Sequence, residues 1–220
     1  MKVLFVGDIH GDFGSFNMLI NKKKPNIVIQ CGDNAYYWVM NDNTGKIKPQ
    51  GAKVYLIPGN HEMWYRFEDA IGRRGLNPVE VEKNLFYCPI GSSLKVNDAN
   101  ILFIGGADSH DKAYRTIGID WFPEELLNQD DLDFILNQNK RFDIIVSHTC
   151  PGFFDPGVQS AGRIGDPCRH ILDIVCEIFN PNYWYFGHWH TYSYGAFGKT
   201  KWYGLDYARH GGIWWKVENI

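Results

Sequence analysis

The chain has few cysteines and no C-x-x-C pair. An odd number of cysteines without paired spacing argues against a disulfide framework and against a cysteine-based zinc site. We therefore expect reduced, mostly buried thiols and a cytoplasmic location. The five cysteines are Cys31, Cys88, Cys150, Cys168 and Cys176.

Long hydrophobic runs and a basic excess are also lacking. No stretch approaches the roughly 20 apolar residues of a membrane span. The first strand follows Met1 so directly that we expect no signal peptide. The formal net charge of -3 argues against a general nucleic-acid binder, which normally carries a basic surface. A nucleic acid remains possible only as a substrate. Bound metal ions would make the electrostatic field at the site positive, which suits a phosphorylated substrate.

Internal repeats and low-complexity linkers are absent as well. A length of 220 residues, 45% of them hydrophobic, suits one α/β domain over residues 1–220. The polar loop Asn41 to Gln50 is interpreted as a surface excursion and not as a domain boundary. Nothing in the sequence indicates the oligomeric state.

One pattern recurs along the chain: a short apolar run followed at once by glycine, aspartate, asparagine or histidine. Apolar runs without alternation predict strands that are covered on both faces. Polar groups just past the carboxyl ends of such strands lie where α/β sheets bind ligands. The predicted strands are Val3–Val6, Ile27–Ile29, Val54–Ile57, Ile101–Ile104, Ile144–Val146 and Tyr183–Phe186.

Four helices and a C-terminal meander are predicted around these strands. Ser15 is expected to cap a helix that ends in Lys22–Lys24, and a short helix is expected from Trp64 to Gly72. A third helix would start at Pro123 and run through Leu136. A fourth would open at Asp166-Pro167 and turn Cys168, Ile171, Leu172, Val175, Ile178 and Phe179 inward. The meander strands are Tyr192–Phe197, Lys201–Leu205 and Ile213–Val217, with a turn at Gly198-Lys199.

Six of the eight histidines fall in the segments that follow the predicted strands. Carboxylate oxygen and imidazole nitrogen together suit Zn, Mn and Fe ions. One ion needs three or four protein ligands, so a larger set indicates two ions that share a bridging carboxylate. Two ions about 3.5–4 Å apart can stabilise both the attacking and the leaving oxygen of an in-line displacement. The candidate ligands are Asp8, His10, Asp33, Asn60, His148, His188 and His190.

These segments resemble the signature of the calcineurin-like metallophosphoesterase superfamily. That signature reads D-x-H, G-D, G-N-H-[DE], a lone histidine after a strand, and G-H-x-H, in this order. All five blocks are present and span residues 8 to 190. They are Asp8-Ile9-His10, Gly32-Asp33, Gly59-Asn60-His61-Glu62, His148 and Gly187-His188-Trp189-His190.

The resemblance implies a role for each residue that matches a block. It implies that Asp33 bridges two ions and that His61 binds no metal but protonates the leaving oxygen, a general-acid step worth about 10²–10⁴-fold. It also implies a four-layer α/β sandwich of two mixed sheets flanked by helices. The first ion would be held by Asp8, His10, Asp33 and His190, and the second by Asp33, Asn60, His148 and His188.

The implied activity is phosphoester hydrolysis, in which a metal-bound hydroxide attacks a phosphomonoester or phosphodiester in line. Mn is the favoured metal, with Fe, Zn, Ni and Mg also compatible with a mixed oxygen and nitrogen ligand set. Two rivals are kept: a non-catalytic metal-binding scaffold for a protein partner, and a hydrolase of another bond. The intact His61 argues against the scaffold, which has no need of a general acid.

One block departs from the protein-phosphatase branch, whose second block reads G-D-x-x-D-R. Here the chain reads Gly32-Asp33-Asn34-Ala35-Tyr36-Tyr37, so the later Asp and Arg are missing. This departure speaks against a Ser/Thr protein phosphatase. We hypothesise that the segment from Asp108 to Arg115 compensates, with Arg115 binding phosphate and Asp111 or Asp108 orienting a neighbouring group.

Several residues near the blocks carry less information. His110 is interpreted as a polar loop residue that could reach the site, and Asp12 as a residue that could cap the next segment. His170 and His210 are interpreted as structural or solvated. Most of the nearby aromatic residues are expected to pack the core, with a stacking platform as the minority interpretation. They are Tyr36, Tyr37, Trp38, Trp64, Tyr65, Trp121 and Trp189.

Overall fold

The computed structural model describes residues 1–35, 46–158 and 166–220. The strands described there are β1 Lys2–Val6, β2 Ile27–Gln30, β3 Lys53–Leu56, β4 Val79–Glu82, β5 Leu85–Tyr87, β6 Ser93–Val96, β7 Ala99–Ile104, β8 Ile144–Ser147, β9 Tyr183–Phe186, β10 Ser193–Phe197, β11 Thr200–Gly204 and β12 Trp215–Asn219. The α-helices are α1 Phe13–Lys23, α2 Trp64–Ile71, α3 Gln129–Leu136 and α4 Pro167–Phe179.

The strands form two mixed sheets of six. The first has the order β12-β1-β2-β3-β5-β4, and the second has the order β10-β11-β9-β8-β7-β6. In each sheet the four central strands are parallel, and an antiparallel strand closes each edge. The fold is therefore the expected α/β sandwich of two mixed sheets flanked by helices.

Successive residues of the central strands face different layers of the core, because side chains alternate along a strand. In β1, Val3 and Phe5 face the second sheet, and the Phe5 ring stacks on Tyr185 of β9 with 3.8 Å between ring centroids. Leu4 and Val6 pack in the other core cluster, which the helices cover. Burial on both faces explains why the apolar runs of the sequence show no alternation.

The helix ends differ in part from the sequence expectation. Asp12, not Ser15, caps α1, because its carboxylate accepts the Ser15 backbone N–H at 3.1 Å. The segment from Pro123 divides into a short 3-10 helix, Pro123–Glu125, and α3. Asn128 forms a capping box with Asp131 at the N-terminus of α3, so a new helix starts there after the break.

The inward face of α4 was predicted correctly except at one position. The buried stripe runs from Cys168 through Leu172 and Cys176 toward Phe179. Ile178 lies on the solvent side of that stripe and is 57% exposed, so its predicted inward position is wrong. Asp166 caps the helix as expected.

The strand predictions need two corrections. Strands β4, β5 and β6 were not predicted. Strands β4 and β6 are largely polar or half-exposed, and β5 is apolar and mostly buried but only three residues long. The last strand is not part of a meander: β12 leaves the β10–β11 hairpin and pairs antiparallel with β1 in the first sheet. The hairpin turn at Gly198 is as predicted, with a positive φ of 57°.

The cysteines and the helices can be compared with the expectations from the sequence. All five cysteines are buried and free. In the described ranges, none of the helices has the length and apolar character needed to cross a membrane. Half of the predicted surface loop Asn41 to Gln50, residues 41–45, lies outside the described residues.

Candidate metal centre

The carboxyl ends of five parallel strands bring the seven candidate ligands to one edge of the sandwich. Three strands belong to the first sheet and two to the second. Strand β1 leads to Asp8 and His10, β2 to Asp33, β3 to Asn60, β8 to His148, and β9 to His188 and His190. The two sheets thus meet at this edge with polar groups from both.

Asp8, His10, Asp33 and His190 form a first group, in which one ligand atom of each residue lies within 4.8 Å of the others. His190 Nε2 lies 3.0 Å from Asp8 Oδ2 and 3.0 Å from His10 Nε2. Asp33 Oδ2 is 3.8 Å from His10 Nε2. Donor atoms converge here from four residues on three separate turns of the chain.

Asp33, Asn60, His148 and His188 form a second group beside the first. Asn60 Oδ1 lies 2.9 Å from His148 Nε2 and 3.0 Å from His188 Nδ1. Asp33 Oδ2 is 3.4 Å from His148 Nε2, so the same oxygen faces both groups. This is the position that a bridging carboxylate needs.

Neighbouring backbone groups hold the orientation of these side chains. His148 Nδ1 donates to the Cys31 carbonyl oxygen at 2.8 Å, which leaves Nε2 as the nitrogen directed at Asn60 and Asp33. Asp33 Oδ1 accepts the His61 backbone N–H at 2.8 Å, and Oδ2 remains for the histidines. Asp8 accepts the His188 backbone N–H at 3.1 Å.

Two motif glycines are required because a ligand side chain occupies the space of a Cβ. A Cβ on Gly187 would lie 2.0 Å from Asp8 Oδ1, and a Cβ on Gly59 would lie 2.1 Å from Asp33 Oδ1. Each glycine precedes a candidate ligand and packs against a ligand from another strand. The spacing G-H-x-H and G-N-H therefore has a steric cause.

Four of the candidate ligands have left-handed backbone conformations. The φ angles are 41° at His10, 53° at Asp33, 66° at His188 and 47° at His190. Such conformations cost of order 1–3 kcal/mol each for residues other than glycine, and they concentrate at functional sites. The fold thus holds these side chains in place against a local backbone penalty.

The electrostatics of the site favour positive charge. Burial alone would raise the pKa of Asp33, but His148, His61 and His10 hold it well below its usual range. Burial opposes charge on His148, yet Asp33 above all raises its pKa to about 9. Burial and the charge of His148 together lower the pKa of His188 well below its usual value.

These residues fit a pair of divalent cations. Asp8 and Asp33 are 0% and 1% exposed, and their ion pairs in the described part of the chain are with histidines only. Histidines that bind a metal are neutral, so the two buried carboxylates would then need the cation itself as their counter-charge. Carboxylate, imidazole and amide donors are a set that Zn, Mn and Fe accept.

A cavity of about 470 Å³ opens beside the first group. Arg115 Nη2 lies 2.8 Å from His61 Nε2 and 2.7 Å from Asp111 Oδ1. The Arg115 side chain is only 8% exposed although Asp111 is 56% exposed. The lining residues are His10, Ala35, His61, Asp111, Tyr114, Arg115 and Asp120.

The structure places three polar residues whose roles the sequence left open. Asp108 pairs with Lys112 at 2.6 Å and not with Arg115. The His110 ring lies 5.4 Å from the His188 ring, so it borders the site. Besides capping α1, Asp12 pairs with Arg209 at 3.2 Å.

Of the three histidines outside the motifs, His170 and His210 provide no ligand atom to either group. His170 is exposed on α4. His210 Nδ1 lies 3.0 Å from the His190 carbonyl oxygen and 3.0 Å from Asp206 Oδ1. His210 therefore contacts the backbone of a candidate ligand, which agrees with a structural role.

The aromatic residues near the motifs that the structure describes are divided between core and surface. Trp64 and Trp189 are buried as expected, Trp121 is half-buried, and Tyr65 is 46% exposed and packs beside Phe122. Tyr36, Tyr37 and Trp38 lie outside the described residues. Tyr114, which was not among the aromatic residues named from the sequence, lines the cavity.

Three further buried polar residues were given no role of their own from the sequence. Glu62 Oε1 accepts the Asn34 backbone N–H at 2.9 Å and holds the turn after Asp33. Ser109 and Glu125 are also buried and connect to Asn60. The signal available for Ser109 was its place shortly after the apolar run of β7.

A family model for calcineurin-like phosphoesterases matches residues 1–192. The chain belongs to this family. The match covers the ligand groups, His61 and Arg115. Members of this phosphoesterase family typically bind two divalent metal ions, and the Asp–His cluster of this chain has donors that could hold metal. A comparison with curated proteins gave no significant match.

Solved structures share the fold of this chain at low sequence identity. TT1561 of Thermus thermophilus has 13% identity and a TM-score of 0.61, with 99% of this chain and 98% of that chain covered. GAP50, the anchor in the inner membrane complex of Plasmodium, has 11% identity and a TM-score of 0.55, with coverage of 95% and 72%. Phosphopantetheinyl hydrolase of Mycobacterium tuberculosis has 15% identity and a TM-score of 0.51, with coverage of 99% and 95%. These likenesses show the fold alone.

Proposed function

We propose that this protein is a metal-dependent phosphoric ester hydrolase that acts on a phosphomonoester or phosphodiester. The observation that carries the proposal is the pairing of His61 with Arg115 in an open cavity beside the buried Asp–His cluster. A cavity with an arginine and an imidazole next to a cation site suits an anionic phosphate ester.

Two divalent ions would occupy the two ligand groups, with Asp33 between them. When bound, such ions supply positive charge to phosphoryl oxygens and make water more acidic. Mn is the metal we favour, and Fe, Zn, Ni and Mg suit the same donors. The first group would use Asp8, His10, Asp33 and His190, and the second Asp33, Asn60, His148 and His188.

Arg115 would bind the phosphate of the substrate. Its guanidinium offers several N–H donors in a fixed plane, which matches the oxygens of a phosphate. Asp111, 2.7 Å away, would keep the guanidinium in the cavity. This pair takes the place of the Asp and Arg that the second motif of this chain lacks.

His61 would protonate the leaving oxygen as the catalytic general acid. In the free protein its Nε2 lies 2.8 Å from Arg115 Nη2. Burial, and Arg115 after it, lower the pKa of His61 in the free protein. A phosphate that takes the N–H groups of Arg115 would free this nitrogen, and its negative charge would favour uptake of a proton from solvent, which the imidazole could then give to the ester oxygen. The backbone of His61 stays fixed meanwhile, because its N–H donates to Asp33.

The rival function, a metal-binding scaffold for a protein partner, leaves the His61–Arg115 pair without a purpose. GAP50, which shares the fold, is an anchor, so the two functions must be separated by experiment. A cytoplasmic location remains our expectation, supported by the buried free thiols.

The test is a matrix of hydrolysis rates for p-nitrophenyl phosphate and bis-p-nitrophenyl phosphate with each of the five metals. We expect Mn²⁺-dependent turnover that His61→Ala and Asp33→Asn both abolish. His170→Ala and Asp98→Asn are matched controls, since both side chains are exposed away from the ligand groups. Metal binding without turnover of either ester would favour the scaffold, and near-normal rates in both site variants would refute the mechanism.

A further inference from the structure

We infer that Ser109 and Glu125 are positioning residues that hold the amide of Asn60 with its oxygen toward the second ligand group. The inference rests on the proposed metal centre and adds two residues that the family motifs do not contain. Neither residue would touch metal or substrate. Both would act on metal affinity through Asn60.

The contacts form a short buried chain. Asn60 Nδ2 donates to Ser109 Oγ at 2.9 Å. The Ser109 backbone N–H donates to Glu125 Oε1 at 3.0 Å, and Trp121 Nε1 donates to the same oxygen at 2.9 Å. Asn60, Ser109 and Glu125 are 3%, 1% and 0% exposed. Little room remains for water to replace any member.

The orientation of Asn60 matters because the two ends of an amide differ in chemistry. Its oxygen can bind a cation, and its NH₂ group can only donate hydrogen bonds. Oδ1 lies within 3.0 Å of His148 Nε2 and His188 Nδ1, where a shared ion would sit. Ser109 Oγ gives the NH₂ group an acceptor on the opposite side, so the oxygen keeps its place.

Glu125 would act one step further out. Its carboxylate fixes the backbone of Ser109, and therefore the position of Oγ. A second tie joins the same loop to the motif of Asn60, because the Gly106 N–H donates to the Pro58 carbonyl oxygen at 2.9 Å. The loop after β7 is therefore held at two points, at Gly106 by the Pro58 carbonyl oxygen and at Ser109 by Glu125.

The inference predicts a selective loss of metal affinity. Outer partners of metal ligands typically contribute about 10–100-fold to metal affinity or activity. In Ser109→Ala we expect one of the two Mn²⁺ equivalents to bind about 10–100-fold more weakly. The other equivalent should bind as in the wild type, because the first ligand group does not include Asn60.

The measurement is isothermal titration of metal-free protein with Mn²⁺, with the melting temperature of the metal-free form recorded alongside. Ser92→Ala is the matched control, since Ser92 is equally buried and its backbone bonds are to Pro89 and Phe103. Glu125→Ala removes the acceptor of the Ser109 N–H and should weaken the same Mn²⁺ equivalent, whereas Glu125→Gln keeps an acceptor oxygen and should bind more tightly than Glu125→Ala. Unchanged affinities in Ser109→Ala, or in Glu125→Ala, would overturn the inference.

A double-mutant comparison separates positioning from a general structural effect. With Asn60→Ala as background, adding Ser109→Ala should cause no further loss of Mn²⁺ affinity, because the contact is already gone. A second loss of similar size would show that Ser109 acts by another route and would reject the inference. If the wild type bound no divalent metal at all, the metal centre itself would be wrong, a result distinct from intact wild-type binding with an unaffected Ser109→Ala.

Discussion

Arg115 Nη2 lies 2.8 Å from His61 Nε2, although 54 positions separate the two residues in the chain. The contact joins a motif residue to a loop that no motif predicts. Asp111 and the Asp120 carbonyl oxygen hold the same guanidinium, at 2.7 and 3.3 Å. The cavity therefore has a fixed cationic group beside the candidate general acid.

Arg115→Ala should lower kcat/KM for a phosphoester about 10–100-fold, since hydrogen bonds to charged groups contribute about 1.5–3 kcal/mol. Arg115→Lys should be intermediate, because a single ammonium group cannot reproduce the planar fork. Steady-state kinetics with p-nitrophenyl phosphate and Mn²⁺ measures both.

Arg141→Ala is the control for this series, because Arg141 is 72% exposed and pairs with Asp143. Asp111→Asn should lower kcat/KM by less than Arg115→Ala, since it weakens the support of the guanidinium and leaves its charge. Wild-type values of kcat/KM in Arg115→Ala would remove Arg115 from the substrate site.

Asp33→Asn should weaken binding of both Mn²⁺ equivalents, whereas His190→Ala should weaken only one. The reason is that Asp33 Oδ2 faces His10 of the first group and His148 of the second. Titration calorimetry on metal-free protein gives the stoichiometry and each affinity. Loss of one equivalent alone in Asp33→Asn would mean that this carboxylate does not bridge. Asp98→Asn should bind both ions normally.

The sequence was most informative where strand and site coincide. The apolar runs before Asp8, Asp33 and His148 are buried on both faces. Strands of this kind can be recognised from a continuous apolar run, without an alternation of apolar and polar residues. The polar residues that follow these runs are too numerous to be explained as turn residues alone. For this reason both the two-sheet fold and the edge that carries the site were predictable.

Short or exposed elements could not be predicted in the same way. Strand β4 is largely exposed, so no apolar pattern marks it. The partner of β12 is set by the first sheet, since Val217 pairs with Leu4 at the far end of the chain. Ser109 reaches Asn60 only through the tertiary packing of its loop. Such long-range pairings leave no local signal in the sequence.

Glu125 should make stability depend on pH in the metal-free protein. Burial raises its pKa to about 7, against hydrogen bonds from Ser109 and Trp121 that lower it. The unfolded chain ionises this group near its ordinary pKa of 4.5. The contribution of protonated Glu125 to the free energy of unfolding is therefore fully present below pH 4.5. It is lost as pH rises to about 7, by on the order of 2–3 kcal/mol, because only the unfolded chain releases the proton in this range.

Urea unfolding of the metal-free protein at pH 5, 6, 7 and 8 measures this effect. Glu125→Gln should lose less stability than the wild type over that range, because its amide does not ionise. The difference in unfolding free energy between variant and wild type should grow from pH 5 to pH 7 and then level off. A constant difference at all four pH values would show that Glu125 does not titrate in this window.

Arg73→Ala should lower the free energy of unfolding by about 1.5–3 kcal/mol, because the buried Asp131 carboxylate loses one of its two arginine partners and keeps Arg74 at 2.7 Å. Arg73 contacts Asp131, which is 0% exposed, at 2.7 Å and also donates to the Glu124 and Leu126 carbonyl oxygens. Urea denaturation measures the loss. Lys46→Ala is the control: its ion pair with Glu82 is exposed, and removing it should change stability by less than about 1 kcal/mol. Equal effects of the two substitutions would mean that the buried pair contributes no more than a surface pair.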